Sequence, residues 1–176
     1  MKYLKGALNG KAAYLCGAIK ACTNDGIDWR EEVTKRLIPF GVQVLNPCKK
    51  TTKGLSEIGE DKKKFKDLIV REKWGKVKED FWPIVRSDLR NVDRSDFIVF
   101  YYDPDIPTIG SVHELVISQI EKKPILIFYK KQQLQNFNPW ICVFIKKHHF
   151  FSSLDKMFKY LEGVNHGKFD TSLWVI

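Results

Sequence analysis

The sequence predicts an α/β protein, a single domain built as a doubly wound sheet of five parallel strands flanked by helices. Three observations predict it. Near-continuous apolar runs, AAYLCGAI (12–19) and FIVFYY (97–102) among them, read as strands buried on both faces. Amphipathic helical patterns alternate with these runs, which implies right-handed crossovers between parallel strands. The chain has 176 residues, enough for one domain with its own core and a squeeze for two.

The elements follow in order. The first strand lies within 11–19, and Gly17 closes it where backbone and ligand would come close. A polar loop (20–26) leads to Asp28, which is placed to cap a helix reading DWREEVTKRLIPF, acidic at its start and basic near its end. Trp29, Val33, Leu37 and Phe40 fall on one face of that helix. Gly41 stops it, and VQVLNP is the second strand. A polar loop (48–60) precedes a basic helical segment (61–86), with a break expected at Gly75 or Pro83. A helix over 84–93, the third strand (97–102), a turn-rich loop and a helix over 111–122 come next. ILIFY after Pro124 is the fourth strand, and ICVFI (141–145) is expected as the fifth. Ser152 or Ser153 caps a last helix that Gly163 ends, and an apolar LWVI closes a tail (163–176) that docks on its own core or on a second subunit. This order describes a Rossmann- or flavodoxin-like sheet, whose ligands sit at the carboxyl ends of the strands.

Composition narrows the function classes. The apolar fraction of 44% is ordinary for a globular protein. No apolar run reaches membrane-spanning length. The first residues, MKYLKGALNGKAAYLCGAIKA, superficially resemble a signal peptide, but Gly and Lys break the apolar stretch, so a first strand in a cytoplasmic protein is the better reading. The four cysteines form no C-x-x-C pair, and Cys16 and Cys142 lie in apolar runs as buried thiols do. Neither a metal cluster nor a disulfide framework is expected. A formal charge of +9 favours anionic partners such as nucleotides. Basic and aromatic residues interleave in 61–86, a pattern that nucleic-acid contact would use. Asp61, Asp67, Glu72, Glu79 and Asp80 dilute the charge there, which favours a solvated helix face with core aromatics.

The chemistry concentrates in 87–118, SDLRNVDRSDFIVFYYDPDIPTIGSVHELVIS. Glu114 is expected at the head of a helix, where the dipole keeps a carboxylate ionised. An ionised carboxylate in a crevice can attack an anomeric carbon and form a glycosyl ester. Asp88, before the third strand, is placed to bind the sugar or base or to move a proton. From periodicity alone, a helix carboxylate that only steadies its helix remains the simpler reading of Glu114.

Several motifs in fixed order add a resemblance. Tyr14-Leu-Cys-Gly17-Ala-Ile19 is followed by Trp29-Arg30, Asn46-Pro47, Asp88-Leu89, Asp96, the strand 97–102, and Gly110 to Glu114-Leu115. Over Ala12 to Phe128 the chain resembles the nucleoside 2-deoxyribosyltransferase family, which includes the 2'-deoxynucleoside 5'-phosphate N-hydrolases. The resemblance implies Glu114 as nucleophile, Asp88 as the carboxylate that assists the base and its proton, and Tyr14 as the hydroxyl that orients Glu114. It implies a substrate site that takes in Gly17, Ile19, Lys20, Asp103, Thr108, Gly110 and Ser111. No metal or organic cofactor is implied. The implied partners are a (deoxy)nucleoside or nucleotide and a nucleobase or water acceptor, in a homo-oligomer with sites near subunit interfaces.

The chain departs from the family at Thr108, six residues before Glu114, where transferases often carry Asp and hydrolases Ser. A hydroxyl donates to a phosphate that a carboxylate would repel. Thr108, Ser111, Lys20 and the positive charge therefore lean towards a phosphorylated substrate. His113, next to Glu114, is expected to point away from it, and His148-His149 to mark a strand end.

Overall fold

A computed structural model describes residues 6–19, 24–49, 58–169 and 174. Five parallel strands form one sheet in the order β2-β1-β3-β4-β5. They are β1 (Ala12–Gly17), β2 (Gln43–Leu45), β3 (Phe97–Tyr101), β4 (Ile125–Phe128) and β5 (Phe150–Phe151). The helices are α1 (Ile27–Leu37), α2 (Gly59–Val70), α3 (Trp74–Arg94), α4 (Ile109–Ile120), α5 (Pro139–Val143) and α6 (Leu154–Asn165). The chain winds outward from β1 to β2, then returns to pair β3 on the other side of β1, with Tyr14 against Ile98 and Gly17 against Tyr101. The strand order reverses between β1 and β3, so a crevice opens past their carboxyl ends.

Strand alternation divides the core in two. Ala13, Leu15, Phe97, Val99 and Leu126 face α1 and α6, packing on Val33, Leu37, Met157, Phe158 and Leu161. Tyr14, Cys16, Ile98, Phe100 and Ile127 face the other way, onto Val92 of α3, Leu115 of α4, and Ile141 and Ile145. Trp174 is buried against Phe97 and Tyr160, so this residue of the tail docks on its own core. No helix among the described residues is long and apolar enough to cross a membrane.

The structure corrects several expectations. ICVFI is not the fifth strand. Asn138 accepts a hydrogen bond from the Trp140 amide at 2.9 Å and Pro139 takes the first helical position, so the run begins as α5. Strand pairing with β4 falls to Phe150 and Phe151. Pro83 does not break the helix, because it lies on an exposed face where water can satisfy the carbonyl it strands. The break comes at Arg71–Lys73, where Glu72 adopts φ 53°. Gly163 does not end α6. A Cβ there would come within 2.1 Å of the Phe169 ring, so it serves close packing, and Gly167, at φ 66°, follows the helix end. Gly26, not Asp28, caps α1, and Asp28 sits in the first turn. Cys142 is exposed, while Cys16 is buried.

Candidate active site

A cavity of about 470 Å³ lies past the ends of β1 and β3, a size suited to a small-molecule ligand. One wall is the end of β1 and the residues after it: Tyr14, Gly17, Ala18 and Ile19. The start of α4 supplies Thr108, Gly110, Ser111, His113 and Glu114. The third wall comes from α3, with Phe81, Val85, Asp88 and Leu89.

Glu114 is the centre of this geometry. The Tyr14 hydroxyl donates to its Oε1 at 3.0 Å. The Cys16 thiol lies 3.0 Å from its Oε2 and 3.6 Å from the Ser111 carbonyl. Burial, and then the negative charge of Glu114, push both the Tyr14 hydroxyl and the Cys16 thiol well above their ordinary pKa values. Both therefore keep their protons at neutral pH and act as donors to the carboxylate. Asp88 is buried in the same wall, in the second-last turn of α3, and when ionised its carboxylate adds to the upward push on Tyr14.

Glu114 is not at the head of its helix. The helix starts at Ile109, more than one turn earlier, and the dipole effect fades beyond the first turn. Its electrostatic support comes from the β1 donors instead. His113, one residue before Glu114, also borders the cavity.

The other predicted residues fall into three groups. Thr108, Gly110, Ser111, Ile19 and Gly17 all border the cavity with Glu114, Asp88 and Tyr14. A Cβ on Gly110 would meet nothing within 4 Å. A Cβ on Gly17 would sit 2.9 Å from the Tyr101 carbonyl and 3.0 Å from the Trp29 ring, at φ 152°, so the close approach of β3 and α1 already demands this glycine. Asp103 is placed elsewhere. It accepts hydrogen bonds from the Asp105 amide and from Gln133, at 3.1 and 2.7 Å, and borders a separate cavity with Trp29 and Lys130. Lys20 lies outside the described residues.

Three contributions escaped the sequence reading. Cys16 is one; its Tyr-x-Cys spacing on a strand was the available signal, since alternate residues share a face. Arg30 is another. It is fully buried and donates to the carbonyls of Leu15, Gly17, Ala18 and Gly26 at 2.7 to 3.4 Å, pinning the end of β1 where it borders the cavity to the start of α1. The third is the α3 wall, which belongs partly to the basic segment. There Phe81 packs edge-on against the buried Phe65 at 4.9 Å. Lys64 and Lys76 both pair with Asp80 at 2.9 Å, and Lys62 with Asp25 at 2.9 Å, so local acids partly neutralise this face. Among the described residues, no group of three or more His, Cys, Asp or Glu side chains is arranged to hold a metal ion.

No family model matches the sequence, and no curated protein matches it in sequence. Solved structures do match. One is a 2-deoxyribosyltransferase from the psychrotolerant bacterium Bacillus psychrosaccharolyticus, with TM-score 0.59 and 14% identity over 89% of this chain and 94% of that one. The fold is that of a 2-deoxyribosyltransferase. A conserved protein from Enterococcus faecalis V583 is also similar, with TM-score 0.56 and 14% identity, covering 86% of this chain and 97% of that one. The α/β architecture and all-parallel sheet expected from the sequence are thus those of the 2-deoxyribosyltransferase fold. The Glu114 cavity sits at the point in that fold where the strand order reverses.

Proposed function

We propose that this protein breaks the N-glycosidic bond of a (2'-deoxy)nucleoside or its 5'-monophosphate, and passes the deoxyribosyl group to another base or to water. The observation that carries this reading is a carboxylate held by a donor on each oxygen, facing a cavity that also contains Asp88. In the first step a Glu114 oxygen bonds to the anomeric carbon as the carbon–nitrogen bond breaks, and the electron pair leaves with the base. Asp88 enters this step as the protonated acid and gives its proton to the departing base. In the second step a base nitrogen or a water oxygen attacks the same carbon, gives its proton to Asp88 and frees Glu114. The side chains supply all of this chemistry, so no cofactor is part of the proposal.

Thr108 and Ser111 border the cavity at the start of α4, where hydroxyls, free amides and the helix dipole suit a 5'-phosphate. This favours a monophosphate substrate. We also propose a homo-oligomer, as the family resemblance implies. Ile109, Val112, Trp140 and Val143 on α4 and α5 are exposed apolar residues that such an assembly would cover.

Chromatography of base release tests the proposal, using each deoxynucleoside and each 5'-monophosphate with and without a second free base. Release from a monophosphate without acceptor identifies a hydrolase. A new nucleoside formed only with acceptor identifies a transferase. Binding of these compounds with no release from any of them would contradict the proposal and indicate a nucleotide-binding protein on an enzyme fold.

A further inference from the structure

Glu114 meets two donors of different chemistry, one on each oxygen. Tyr14 and Cys16 stand two residues apart on β1 and so project from the same face onto α4. We propose that Cys16 is a positioning residue for Glu114: its thiol donates to Oε2 and fixes the carboxylate in the orientation that faces the cavity. This rests on the reading of Glu114 as the nucleophile.

Four observations support it. First, the thiol is fully buried and holds its proton, so it is a donor and not a rival thiolate nucleophile. Second, its single proton has two acceptors in reach, Glu114 Oε2 at 3.0 Å and the Ser111 carbonyl at 3.6 Å, both on α4. The ionised carboxylate is the stronger acceptor and receives the thiol's hydrogen bond in the free enzyme. When the glycosyl ester forms, Glu114 loses its charge, and the thiol can turn to the Ser111 carbonyl without leaving a buried donor unpaired. Third, a thiol is a weak donor, so it orients Oε2 while withdrawing less electron density than a hydroxyl would. Fourth, Arg30 holds the backbone on both sides of Cys16 through the Leu15 and Gly17 carbonyls, at 3.3 and 2.7 Å, so the donor sits on a fixed strand end.

The test compares wild type, Cys16→Ala and Cys16→Ser by carboxyl-carbon NMR titration of glutamate-labelled protein, with the Glu114 signal assigned through Glu114→Gln. Base release is measured on the same samples. Cys16→Ala removes a donor to the anion, so the Glu114 titration midpoint should move upward. Its kcat should fall about 10-fold with KM little changed, the size expected for one hydrogen bond to a charged group. Cys16→Ser keeps a donor, so its midpoint should return to the wild-type value or below it, with most of kcat restored. Coincident midpoints in all three proteins would overturn the proposal. The titration needs no turnover, so it judges the contact even if no substrate is cleaved. A midpoint shift without base release from any substrate would count against the glycosidic reading alone.

Discussion

On one face of the sheet, Tyr14 and Cys16 meet Glu114 at the wall of an open cavity. On the other, near the β5 edge, buried His149 meets the Tyr160 hydroxyl at 3.0 Å beside the ring of Trp174. Both clusters bury polar groups in an apolar core, which is costly unless they are satisfied. They resolve the cost differently. The His149 cluster does so by neutrality: burial, and then the positive charge of His148, lower its pKa to about 3, so the ring stays uncharged. The Glu114 cluster brings two protonated donors to a carboxylate beside a cavity large enough for a ligand. A neutral buried pair suits stability, and a carboxylate set against open space suits chemistry. Changes in the first cluster should therefore alter folding and spare turnover, and changes in the second should do the reverse.

Glu114→Gln gives the largest expected effect. Turnover should fall by at least about 10³, because the amide cannot form the glycosyl ester. The thermal midpoint should hold or rise, since active-site groups are often kept at some expense of stability. Loss of folding together with activity would break the distinction between the clusters.

The His149 cluster gives a smaller effect, read as stability against pH. The unfolded chain takes up a proton at His149 near its ordinary pKa of 6.5, and the folded chain does so only near 3. This contribution to stability is complete above pH 6.5 and is lost progressively as pH falls towards 3. The slope is at most about 1.4 kcal/mol per pH unit, or about 2 kcal/mol between pH 6.5 and 5. Denaturant midpoints followed by circular dichroism should show that slope in wild type and a flatter one in His149→Gln, with equal turnover at pH 7. Parallel pH profiles would show that His149 is not the neutral group described here.

How far these features were legible in the sequence follows from which physical rule each obeys. Buried parallel strands announce themselves as apolar runs, so β1, β3 and β4 were readable. The Glu114, Asp88 and Tyr14 positions were readable through ordered motifs. The run 141–145 misled because strand propensity is a weak local preference, and Asn138-Pro139 carried a stronger helix-start signal. The role of Arg30 was not readable because charged residues are rarely buried without partners, and its partners are backbone carbonyls that no pattern displays. Placing Phe81, Val85 and Leu89 in the cavity wall requires knowing how α3 crosses the sheet, which helical periodicity does not encode.

As the proposed nucleophile, Glu114 becomes covalently attached to the sugar during turnover. Wild type can be mixed with a substrate found in the base-release panel, quenched in acid within a single turnover, digested and analysed by mass spectrometry. One added deoxyribosyl group is expected on the peptide containing Glu114, absent from Glu114→Gln. An adduct on a different residue, or full turnover by Glu114→Gln with no adduct in either protein, would contradict it.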